Sequence, residues 1–210
     1  MLQQTLSSVF PGGNEMIESG FRKRHLLLPV YIIMILIIFI LPFFSIEGYS
    51  IIYHTTSQLG AQMTPNAWVM NIIFFFLGIA CIIESWLYLK KYWFQKILLT
   101  IFGLSLIFTA IFKHAPIHMD LLYNLREDQL HSFFASIVGF SFTAFAFSAA
   151  FIELKPARRL LAVLVAVIAV CFSILIFNTP YAGIWQRLMF IISFGWLIIF
   201  LKEAAVNFKK

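Results

Sequence analysis

The stretch FRKRHLLLPVYIIMILIIFILPFFS, residues 21–45, places three basic residues and a histidine before twenty residues that carry no charge. About 20 helical residues cross the roughly 30 Å of a bilayer's hydrocarbon core. Residues 26–45 therefore read as a membrane helix, with Arg22, Lys23 and Arg24 left on the side from which it inserts. Five further runs of similar length follow, at 67–89, 96–112, 129–154, 160–178 and 184–201. Backbone polar groups in lipid must be satisfied within the segment, so these runs are predicted to be helices. Period-two alternation is absent, which argues against an outer-membrane barrel. Pro116, Pro156, and Pro180 with Gly183 punctuate the ends of runs. The basic turn 153–159 makes the fourth and fifth runs an antiparallel hairpin. The expected fold is an all-α, polytopic, antiparallel bundle of six transmembrane helices over residues 26–202, flanked by tails at 1–25 and 203–210.

Orientation follows from the cations. Arg22, Lys23 and Arg24, then Lys90, Lys91 and Lys96, then Lys155, Arg158 and Arg159, and finally Lys202, Lys209 and Lys210 all fall on one side. Lys113, Arg126 and Arg187 are left on the other. A bias of this size predicts that the first side, with both termini, is cytoplasmic, in a multi-pass plasma-membrane protein. Trp86, Tyr88, Tyr92 and Trp93 belong to the inner interface, and Tyr49, Tyr53, Trp68, Tyr123, Tyr181 and Trp185 to the outer one. Pro11, Gly12 and Gly13 interrupt a mixed opening segment, so no cleaved leader is expected and the first span should serve as the insertion signal.

Composition agrees. Of 210 residues 61% are hydrophobic and 11% charged, against about half and a quarter in soluble domains. The formal charge of +6 lies in short clusters between apolar runs, with no basic helix face or stacking motif for nucleic acid. Cys81 and Cys171 sit inside apolar runs without metal or disulfide spacing.

The polar residues are asymmetric. His54, His114, His118, His131, Glu47, Asp120, Glu127 and Asp128 all fall on the outer side, as do Ser57, Gln58, Asn66, Asn71, Asn178, Gln186 and Arg187. A shared outer pocket is therefore possible. Arg187, about one turn inside the sixth span, needs water or a partner. It either snorkels to the head groups or pairs with Asp120, Glu127, Asp128, Glu47 or an anionic ligand. His131 is placed in the first turn of the fourth span. Beside it runs a small-residue stripe, Ser132, Ser136, Gly139, Thr143, Ala146 and Ala150, expected to face another helix. His114, His118, Asp120 and His131 form a possible zinc set, although their spacing matches no zinc signature. Ser57, His131 and Asp120 are candidates for a hydrolytic triad, without a nucleophile-elbow motif. Glu84, near the inner end of the second span, is expected to reach the interface or pair with a lysine.

The stretch Thr56-Ser-Gln-Leu-Gly60, then Thr64-Pro-Asn-Ala-Trp68 and Asn71, resembles the opening of the second helix in the family catalogued as domain of unknown function 998 (DUF 998). His131-x-x-x-Ala135 is similar to that family's histidine position, and Gly183 with Gln186-Arg187 to its pattern opening the last helix. The family's Phe-Pro after the third helix is replaced here by Phe112-Lys-His-Ala-Pro116. The resemblance implies a six-helix, mostly prokaryotic membrane protein. It marks Ser57, Gly60, Asn66, Asn71, His131 and Arg187 as positions of interest and implies no reaction.

The leading expectation is an outer-leaflet pocket that binds a lipid head group or small amphiphile through Arg187, His131, Asn66, Asn71 and Gln186, with no cofactor. The rivals are a membrane-embedded lipid hydrolase using His131 and Asp120, with or without zinc, and an accessory subunit of an unidentified membrane-protein partner.

Overall fold

The computed structural model describes residues 25–118 and 122–207. Among the described residues there are seven α-helices: α1 (Leu27–Ile40), α2 (Thr56–Leu59), α3 (Ala67–Tyr88), α4 (Trp93–Ile111), α5 (Leu125–Ile152), α6 (Pro156–Asn178) and α7 (Ala182–Asn207). A 3-10 turn, Leu41–Phe44, extends α1, and no strand occurs among the described residues. All but α2 are long and apolar enough to span a membrane, counting α1 with its 3-10 extension. The chain is thus a multi-pass, six-helix membrane protein.

Local chemistry sets the helix ends. Pro42 lacks an N–H, so α1 tightens into the 3-10 turn instead of continuing. Pro156 opens α6 at a position where a missing N–H costs nothing. Asn124 caps α5 by accepting from the backbone N–H groups of Arg126 and Glu127, and Glu127 and Asp128 add favourable charge to the first turn. That cap starts the helix at Leu125, four residues before the expected Gln129. His131 accordingly lies in the second turn rather than the first.

Successive helices pack side by side, and α1 and α7 close the ring while both touch α3. The closest approach is between α3 and α4. A Cβ placed on Gly103 would stand 2.6 Å from the Gly78 carbonyl, and one on Gly78 would collide with the Gly103 carbonyl. Hydrocarbon does not drive helices together as water does, so such backbone-to-backbone packing carries much of the association. An aromatic cluster fills the middle of the bundle. Phe102 lies 5.5 Å from Phe142 and 5.8 Å from Phe194, ring centre to ring centre, and Trp196 stacks on Phe200 at 5.4 Å.

The first half of the small-residue stripe on α5 behaves differently from expectation. Ser132 and Ser136 are exposed, and a Cβ on Gly139 would meet nothing within 4 Å. The buried face of α5 carries His131, Ser141, Phe142, Phe145, Ala146, Ser148 and Ala149, so the stripe meets a neighbour only toward its end, where Ala146 is buried and Ala150 packs on the core. Ser136 satisfies itself by bonding the Ser132 carbonyl one turn back at 2.8 Å, so it needs no neighbouring helix.

At the lysine- and arginine-rich end, Glu84 meets neither a lysine nor the surface. It is 1% exposed and accepts the backbone N–H of Leu27 at 2.7 Å, with His25 3.7 Å away. The carboxylate thereby satisfies an orphan donor at the N-terminus of α1, where negative charge is favourable. Arg158 pairs with Glu203, tying the start of α6 to the end of α7.

Candidate functional site

The segment between α1 and α3 folds back over the histidine-bearing end of the bundle. Thr55 and Gln58 form a reciprocal capping box that starts α2. Asn66, in the left-handed region at φ 58° that asparagine tolerates, turns the chain into α3. Three long-range anchors hold this cap. Gln186 accepts both the N–H and the hydroxyl of Thr56, at 2.6 and 2.7 Å. Asn71 donates to the Gly60 carbonyl at 3.1 Å. Asn66 donates to the Phe44 carbonyl at 2.9 Å.

Arg187 is the centre of the arrangement. Its guanidinium donates to the carbonyls of Ile38, Ile51, His54 and Gly183 at 3.2, 2.9, 3.0 and 2.9 Å, and to the Tyr49 hydroxyl at 2.8 Å. It is 3% exposed, so it does not snorkel. Among the described residues its partners are neutral oxygens, so a carbonyl cage stands in place of the expected ion pair to Glu47, Glu127 or Asp128. Loop and helix-end carbonyls are orphan acceptors in a membrane protein, and the planar five-donor fork can take several at once. Gly183 permits the cage, because a side chain there would strike the same Ile51 carbonyl.

His54 lies inside the cap and accepts the Ser50 N–H through Nδ1 at 2.9 Å. Burial holds its pKa below the ordinary histidine value, with the nearby charges of His118 and Arg187 acting the same way. The fold therefore favours the neutral ring, while the unfolded chain takes up a proton first. Stability is full above about pH 6.5 and falls as pH drops toward the folded-state value. Protease cleavage within residues 46–62 should accelerate between neutral and mildly acid pH. His54→Asn, which keeps an acceptor that does not titrate, should flatten that response; an unchanged profile would remove His54 as its source.

A second cluster lies where α4 ends and α5 begins. His131 is 3% exposed, and its Nδ1 bonds the carbonyls of Thr109 and Phe112 at 3.0 and 2.8 Å. Carbonyls only accept, so Nδ1 carries the proton and Nε2 keeps the lone pair. The ring of His114 packs edge-on against it at 5.3 Å. The Nδ1 of His114 is 2.9 Å from the Ala115 carbonyl and 3.8 Å from Asp128, whose carboxylate also accepts the Ala115 N–H at 2.7 Å. Gln62 joins the two clusters, its N–H donating to the His114 carbonyl at 3.0 Å and its side chain bonding Asn124.

The predicted site residues are thus divided. Arg187, Gln186, Asn66 and Asn71 hold the cap, each through a bond to main chain or loop. His131 belongs with His114 and Asp128 against α4. Ser57 sits on α2, which packs on α3 and α7, whereas His131 bonds carbonyls at the end of α4. Asp120 lies outside the described residues. Among the described residues no group of three or more His, Cys, Asp or Glu is placed to hold a metal ion. Sequence reading missed Tyr49 and Gln62. Tyr49 was placed at the interface and Gln62 in a loop, and neither carries a residue-type signal of its contacts.

A six-span bundle whose first long connection is caged by an arginine of the last span defines the class: a multi-pass membrane protein with a preformed polar cap. The chain belongs to the family described as "Protein of unknown function (DUF998)", whose model matches residues 30–202. No curated protein and no solved structure matches the chain.

Proposed function

We propose that this is a cytoplasmic-membrane protein of a prokaryote with both termini inside, and that its outward-facing cap recognises the polar group of a membrane amphiphile at the His114–His131 pair. The carrying observation is the edge-on contact of these rings at 5.3 Å, with both Nδ1 atoms committed to backbone carbonyls. In the neutral form of each ring, that commitment leaves Nε2 as an acceptor. The chemistry suits a head group that donates hydrogen bonds, an ammonium or a sugar hydroxyl. It does not suit the anionic group that a free Arg187 would attract, because the Arg187 guanidinium is buried and enclosed by four carbonyls and a phenol. The bias of lysine and arginine toward the opposite end supports the orientation.

His114→Ala tests the reading without removing the cap, since its contact with Gln62 is through the main chain. Native mass spectrometry of protein released from nanodiscs containing phosphatidylethanolamine and phosphatidylglycerol is expected to show retained ethanolamine lipid, reduced at least several-fold in the variant. Equal retention in both would reject the histidine pair. Thiol labelling of a cysteine placed at Lys113 from the cytosolic side alone would reject the orientation.

A further inference from the structure

Midway along the bundle, an apolar groove opens between α4, α5, α6 and α7, with Leu106, Gly139, Phe142, Ser173, Met189 and Ser193 in its walls. Gly139, Ser173 and Met189 are half-buried, so the groove is reached from the protein's lipid-facing surface. Ser193 is 6% exposed, and its hydroxyl has no hydrogen-bond partner. Among the described residues, Ser45 is the other buried side chain in that condition. The contrast with neighbouring helical serines is informative. Ser141, Ser148 and Ser173 each bond a carbonyl of their own helix, at 2.6, 2.9 and 2.8 Å. Ser193 does not, although such a bond is normally available.

A buried hydroxyl left unpaired is unfavourable. A buried water needs two to four polar partners, and beside the Ser193 hydroxyl the walls offer only the Ser173 hydroxyl, already bonded to its own helix, and the Met189 sulfur. Hydrocarbon fits the walls and is the surrounding solvent. We propose that the groove binds a lipid chain that carries an oxygen near its middle, with the Ser193 hydroxyl as the hydrogen-bonding partner of that oxygen and Gly139 as the gap that admits the chain. Ser193 is the twelfth residue of α7, roughly 16 Å along the helix at 1.5 Å per residue, which places the contact near mid-bilayer. The groove holds a chain whether or not the histidine pair meets a head group.

The probes are stearate and 12-hydroxystearate, with affinities measured on the purified full chain in detergent. The hydroxylated chain is expected to bind about tenfold more tightly, the size of one hydrogen bond of ordinary strength. Ser193→Ala should equalise the two. Gly139→Leu, whose side chain enters open space, should weaken both several-fold while thermal stability is kept. Persistence of the preference in Ser193→Ala, or unchanged binding of both chains in a folded Gly139→Leu protein, overturns the proposal. If Gly139→Leu does not fold, the Ser193→Ala comparison alone decides. His114→Ala should leave the ratio between the chains intact, so failure of the head-group reading and failure of this one give different results.

Discussion

Arg187→Leu is expected to release the cap and destabilise the protein by several kcal/mol, the largest effect of any single substitution at this end. The guanidinium serves four carbonyls and one phenol. Leucine removes every donor and leaves acceptors enclosed, each costing about 1–3 kcal/mol if no water reaches it. Water will reach some of them, so the loss should show as opening of residues 46–62 as well as a lower Tm. Arg187→Lys keeps the charge but offers three donors on a flexible stem instead of a planar fork, and it should recover only part of the loss. Gly183→Ala separates cage geometry from charge. Its methyl group would displace the Ile51 carbonyl while Arg187 is retained, and protease sensitivity of the cap should rise in the same segment. A leucine variant with wild-type Tm and an intact cap would refute the cage as a stabilising element.

The second large effect is expected at the α3–α4 crossing. Gly78→Leu or Gly103→Leu must push two backbones apart, because a Cβ on either glycine already collides with the other's carbonyl. Overpacking a soluble core costs about 1–3 kcal/mol. Here the obstacle is main chain, which cannot swing aside, so the upper end of that range or more is expected. The readout is loss of monodisperse protein on size exclusion in detergent, together with a depressed Tm. Gly139→Ala supplies the contrast. It meets nothing within 4 Å and replaces a poor helix former, so it should be neutral or stabilising by up to about 1 kcal/mol. Similar outcomes at all three glycines would show that the crossing is not what matters.

These predictions mark where the amino-acid order was readable and where it was not. The six spans were legible because hydrocarbon thickness imposes a length, and residues 26–45 meet it without a charge. Arg187 was legible as a residue needing partners, but not which ones. Its acceptors are main-chain carbonyls, which every residue possesses, so the pattern of side chains left carboxylates as the apparent candidates. The glycine crossing was hidden for a related reason. A small-residue stripe on one helix is visible in sequence, whereas Gly78 and Gly103 are single glycines on two helices and become a pair only when packed. The first half of the stripe on α5 misled because serine can satisfy its hydroxyl within its own turn. Ser193 was invisible throughout, since only geometry reveals which serine declines that bond.

The cage also has a consequence for synthesis. Ile38 and Ile51 leave the ribosome well before the arginine that binds them, separated from it by 149 and 136 residues. At about 5–20 residues per second, the opening connection waits roughly 7–30 s for its anchor. A chain truncated before the final span would present this connection untethered to quality-control proteases, so closure of the cage distinguishes finished molecules from unfinished ones.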